Sequence, residues 1–198
     1  MPFISNGTTI LDNGAFSVSL GNQILLSEQT ASASASISFT SGLDSTYPIY
    51  KFEFINIHPS GTNTIFQFNM STDGGSNYNV TKTTTSFGAY HAEDDGYAAL
   101  RYDAPLDLAQ GTGYQPLFET GTPNNEESSA GTLTLFNPSS TTFVKHFISD
   151  CTNAFEYTVR NLVSGYGNTT SAVNAIRFQM ASGNIDSGTI KLYGIKDS

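Results

Sequence analysis

The chain has 198 residues and a formal net charge of −9, enough for one packed domain but not for two full cores. Ser and Thr number 24 each, Gly 18 and Asn 16, whereas charged residues are only 13%, against roughly 25% in an ordinary domain. Scarce Glu and Lys exclude a coiled coil or helical bundle; 14 Phe and 10 Tyr exclude a disordered chain; eight basic residues against 17 acids exclude the usual nucleic-acid binder.

Near the N-terminus, Phe16, Val18 and Leu20 alternate with Ser17 and Ser19 between the turn dipeptides Asn13-Gly14 and Gly21-Asn22. This predicts a strand within an arm or first hairpin, residues 1–30. Residues 31–40 alternate strictly, with Ala31, Ala33, Ala35, Ile37 and Phe39 on one face and hydroxyls on the other. Period 2 predicts one strand whose small face admits a close neighbour, either a second sheet or another subunit.

Residues 48–57 place Tyr50, Phe52 and Phe54 on one face and Ile49, Lys51, Glu53, Ile55 and Ile57 on the other. A turn at Pro59-Ser60-Gly61 then leads to an expected partner strand carrying Phe66, Phe68 and Met70. Asp73-Gly74-Gly75-Ser76 reads as a tight turn, followed by a Thr-rich strand from Asn79 to Thr85. Residues 86–128 read as long loop with one short strand, Ala98 to Tyr102. Strands are expected again over 129–136, 142–149, 154–160, 173–180 and 187–195. About ten or eleven short strands, with turn signals between them and no helical period, predict an antiparallel β-sandwich of jelly-roll type over 31–198.

Little in the sequence carries chemistry. Cys151 is the one cysteine, so there is no internal disulfide, and it reads as a small buried hydrophobe. His58, His91 and His146 are far apart, with no zinc spacing. No nucleophile elbow, phosphate loop or dinucleotide fingerprint is present. The reading is therefore no catalytic residue, no metal site and no cofactor. The segment Ser86 to Tyr97 stands out. Tyr90, His91, Glu93, Asp94 and Asp95 mix an aromatic ring, an imidazole and carboxylates between Gly88 and Gly96. A flat ring suits the apolar face of a sugar, and carboxylates accept its hydroxyls; aromatics plugging one end of the sandwich are the structural alternative. The first basic residue is Lys51 and no long apolar run exists, so neither a secretion leader nor a membrane insertion is expected. Four Asn-X-Ser/Thr triplets, at Asn6, Asn69, Asn79 and Asn168, are then chance in so Asn- and Thr-rich a chain.

Several stretches together carry a resemblance: Met1 to Gly14 (MPFISNGTTILDNG), Tyr47 to Pro59 (YPIYKFEFINIHP), Ser71 to Asn77 (STDGGSN), Phe136 to Ser140 (FNPSS) and Ser182 to Ile195 (SGNIDSGTIKLYGI). They resemble uncharacterised virion structural proteins of tailed phages, notably those of marine and cyanobacterial hosts. The resemblance implies a non-enzymatic β-sandwich displayed on the particle, as a tail fibre or receptor-binding tip or as capsid decoration. It implies assembly in the host cytoplasm and release by lysis. The expected partners are further copies of the chain, in a homo-oligomer, and other virion proteins. The alternative is a glycan-binding module for host surface polysaccharide. Neither nucleic acid nor membrane insertion is expected.

Overall fold

The computed structural model describes residues 3–5, 8–12, 15–16 and 22–196. Strands β1 (Phe3–Ser5), β2 (Thr8–Asp12) and β3 (Ala15–Phe16) form a three-stranded antiparallel sheet of their own. Val18, Leu20 and the Asn13-Gly14 turn of the expected first strand lie outside the described residues.

The next strand, β4 (Gln23–Ser34), pairs antiparallel with the last, β15 (Ile185–Ile195). The boundary expected at residue 30 thus falls inside a strand. The single strand expected over 31–40 is two. Ala33 takes a positive φ of 49°, its carbonyl accepts a bond from the Asn184 side chain, and β5 (Ile37–Phe39) begins in a different sheet. Ala31, Ile37 and Phe39 are all buried. Burying them from two opposed layers requires a corner between them, which an alternating pattern alone does not reveal.

Strand β6 (Ile49–Pro59) buries Tyr50, Phe52 and Phe54 completely, as the alternation predicts. Ile57, expected on the opposite face, is also fully buried. The cause is a bulge at Asn56, which has φ 50° and coincides with register shifts against both neighbouring strands. A bulge adds one residue and so flips the face of everything after it. Gly188 faces it with φ +119°, where a Cβ would lie 2.6 Å from the Asn56 carbonyl oxygen. Strand β7 (Ile65–Ser71) is not the hairpin partner of β6. It lies in the other sheet, and Phe66 meets Phe54 across the sandwich at 5.3 Å between ring centroids.

Strands β8 (Lys82–Ala92) and β9 (Ala98–Tyr102) form a hairpin. A 3₁₀ turn (Ala104–Leu106) and β10 (Gln115–Glu119) follow. The remaining strands are β11 (Ser129–Phe136), β12 (Lys145–Ala154), β13 (Tyr157–Gly167) and β14 (Ala175–Met180). The larger sheet has eight strands in the order β4-β15-β6-β11-β12-β13-β8-β9; the smaller has four, β10-β7-β14-β5. All pairs are antiparallel, and no α-helix occurs among the described residues. The expected all-β antiparallel class holds.

Between the sheets lies a phenylalanine core. Phe178 of β14 sits 5.2–6.3 Å, centroid to centroid, from Phe39, Phe52, Phe54, Phe66 and Phe68. Rings at these spacings combine a large buried area with favourable edge and offset geometry. The smaller sheet ends at β10, which packs on β12 and β13. Strands β8 and β9 therefore extend past it. At its start β8 is still anchored inward, since Lys82 Nζ donates to Asn69 Oδ1 of β7 and Thr84 bonds Gln115 of β10. Beyond Ser86 its inner face is only partly covered: Gly88 and Ala92 are buried and Tyr90 is half-buried.

Candidate functional site

The segment Ser86 to Tyr97, expected within a long loop, is only partly one. Its first half completes β8, where Gly88 pairs with Asn161 on one side and Arg101 on the other. Only the stretch after Ala92 turns, closed by Ala92 N–H donating to the Tyr97 carbonyl at 2.8 Å and by the Asp94 carboxylate accepting from Gly96 N–H at 2.8 Å. Gly88 leaves room for Tyr90: a Cβ there would lie 2.9 Å from its ring.

Strand geometry separates the residues that the sequence places together, because consecutive side chains point to opposite faces. Tyr90 lies on the inner face and is half-buried, while His91 is exposed on the outer one. His91 Nε2 lies 3.2 Å from Asp95 Oδ1, and both side chains are largely in solvent. Glu93 and Asp94 line an adjoining cleft of about 360 Å³ together with Glu156 and Tyr157. Tyr90, Glu93 and Asp94 thus line two clefts that share Tyr157; His91 and Asp95 line neither.

Tyr90 lies in a cleft of about 250 Å³ with Tyr97, Arg101, Phe155 and Tyr157. Pairing of β8 with β13 brings Tyr157 opposite Ala92 and Val159 opposite Tyr90, so the two tyrosines sit on adjacent strands, two residues apart in register. Tyr157 makes edge contacts with Tyr97 at 6.1 Å and Phe155 at 5.6 Å. The Arg101 guanidinium stands 5.1 Å over the Tyr90 ring. Buried Asp103 holds both: its carboxylate accepts from the Tyr90 hydroxyl at 3.0 Å and lies 3.4 Å from the Arg101 guanidinium. Burial, then the hydrogen bond to Asp103, pushes the Tyr90 hydroxyl up to about 12, and the Asp103 charge holds Arg101 in its charged form. The result is a preorganised aromatic platform with one fixed cation–carboxylate pair at its side. Such a surface suits a ligand that is flat and apolar on one face and hydroxylated at its edge.

Tyr157, Phe155 and Arg101 are not legible as site residues in the sequence. The one signal is Phe155-Glu156-Tyr157, two aromatics flanking an acid at a hairpin turn, and only the β8–β13 register carries it to Tyr90. The Glu93 N–H donates to the Glu156 carbonyl at 3.1 Å, tying this turn to the β8–β9 turn. Elsewhere, His58 is buried with Nε2–H donating to the Asn124 carbonyl at 2.9 Å and Nδ1 3.5 Å from Asp186. Cys151 is buried as expected, and burial pushes its thiol up to about 12. Among the described residues no three His, Cys, Asp or Glu side chains converge on one point. No protein-family model, curated protein or solved structure matches the chain.

Proposed function

We propose that the chain is a non-enzymatic structural protein of a tailed-phage virion, displayed on the particle surface, and that the cleft end of its large sheet contacts a host surface glycan. The particle address rests on the sequence resemblance. The observation that carries the contact is the Tyr90–Tyr97–Tyr157 platform with Arg101 fixed by Asp103. The strand order supports the jelly-roll reading. Without the β8–β9 and β12–β13 hairpins, eight strands remain, and their order is first-eighth-third-sixth in one sheet and second-seventh-fourth-fifth in the other.

The two parts have separate tests. Mass spectrometry of purified particles checks the address: the chain should co-purify with virion proteins as a homo-oligomer, and its absence from particles overturns that part. For the contact, purified protein is applied to host cells and to extracted envelope glycan. Tyr97→Ala with Tyr157→Ala should abolish adsorption while leaving the thermal midpoint within a few degrees of wild type. Unchanged adsorption by that folded variant removes the cleft from recognition.

A further inference from the structure

The aromatic cleft is one of four depressions that follow one another along the same end of the eight-stranded sheet. Tyr157 lines both the aromatic cleft and the Glu93–Asp94 cleft. Glu93 and Glu156 continue into a third depression, of about 190 Å³, where Phe155 meets Glu126 and Glu127. The chain then runs directly to Ser128, which lines the fourth, of about 340 Å³, with Asn56, His58 and Asp186. Each lies where strands enter or leave that edge: the ends of β6, β12 and β8 and the starts of β15, β11, β13 and β9.

We propose that these four depressions form a single track for an extended, uncharged glycan chain, with the tyrosine platform as one subsite and the His58–Asp186 cleft as the far one. The inference rests on the glycan reading above and commits it to a chain rather than a single terminal sugar. From β6 to β9 the sheet spans five strand spacings, about 24 Å, which is several sugar units. The floor is rigid across that length. Backbone bonding ties the β12–β13 and β8–β9 turns together. The segment between the third and fourth depressions is fastened by Glu127, whose carboxylate accepts from the Thr122 N–H and hydroxyl and from the Asn124 side chain. Hydrogen bonding to these donors holds Glu127 below the usual carboxylate range, so it stays an ionised acceptor. A ligand on this track meets tyrosine and phenylalanine rings over the first three depressions and polar acceptors from the second to the fourth, which suits an amphipathic sugar chain. The charge selects further. Arg101, already neutralised by Asp103, is the one Lys or Arg lining these depressions, against Glu93, Asp94, Glu126, Glu127, Glu156 and Asp186. An acidic polysaccharide or nucleic acid is repelled along the whole track.

The test uses the full chain and calorimetric titration with size-fractionated neutral oligosaccharides of glucose, galactose and mannose, plus a uronic-acid series. Affinity for one neutral series should rise at least about tenfold from disaccharide to hexasaccharide and then level off. Tyr97→Ala should weaken binding at every length. Asp186→Ala, at the far end and half exposed, should weaken only the longer oligomers and move the plateau to a shorter length. Length-independent affinity that still depends on Tyr97 overturns the track and leaves the glycan contact standing. Preference for the uronic-acid series, or no binding of any oligosaccharide, overturns the track; in the second case adsorption to host cells decides whether the contact falls with it.

Discussion

The two halves of the large sheet obey different rules. Under β15, β6 and β11 the smaller sheet is in place, and the space between is filled by phenylalanine, with Phe52, Phe66 and Phe178 fully buried. Under β13 and β8 the inner face is mixed: Val159, Val163 and Ala92 are buried beside the polar or small Lys82, Ser86, Gly88 and Asn161, while Tyr90 and Tyr157 at the end of the sheet are only half-buried. A doubly covered sheet must be apolar on its inner face. Where the cover ends, the inner face keeps aromatic groups such as Tyr90 and Tyr157 in reach of solvent. The ligand cleft is what the sandwich leaves where one sheet is wider than the other.

This contrast predicts very different sensitivities. Phe178→Ala removes the ring at the centre of five others and should cost about 3–5 kcal/mol, read as a fall in the urea midpoint. The polar stretch where β8 enters the core should announce itself through pH. Lys82 is fully buried without a carboxylate partner, and burial lowers its ammonium to about 7 from 10.5. The unfolded chain keeps that proton up to 10.5, so between pH 7 and 10.5 the unfolded state binds more protons. Stability therefore rises with pH through that window, by roughly 3–5 kcal/mol, and is flat in this respect below it. Lys82→Met should raise the thermal midpoint at pH 7 and remove most of the slope, leaving the smaller contribution of Lys145, which burial also lowers. The smallest effect belongs to the cleft. Tyr90→Phe deletes the hydrogen bond to Asp103 and should cost about 1–2 kcal/mol, measured by the same denaturation. A loss as large as that of Phe178→Ala would mean that the platform is core and not site.

The covered half was the legible one. Tyr50, Phe52 and Phe54 alternate openly, as do Phe66, Phe68 and Met70, and both sets are buried. What alternation misses is where a strand changes layer or gains a residue. The corner at Ala33 and the bulge at Asn56 both use positive φ at residues other than glycine, which no periodicity reveals. The overhang was misread for a related reason. Along Phe87 to His91 hydrophobicity does not alternate with face, because Phe87 is exposed on the outer side and Tyr90 is only half-buried on the inner one, so the pattern carries no strand signal. Of the site, Tyr90, Glu93 and Asp94 were within reach of sequence reasoning. Tyr157 was not, because its place beside Tyr90 depends on a pairing across more than sixty residues of chain.

Strand β15 is the last in chain order, yet it lies between β4 and β6, two of the first strands of the sandwich. During synthesis the sheet therefore carries an open slot two strand edges wide until its final strand arrives. Closing it is a long-range event, slow by the rule that distant contacts cost the most loop entropy before they return any stability. While the slot is open, the β4 and β6 edges are templates for any extended segment in the vicinity, a neighbour's own β15 included. A chain of this topology is exposed to strand exchange at that slot until residues 185–195 are in place, after which the β4 and β6 edges that flank it are paired.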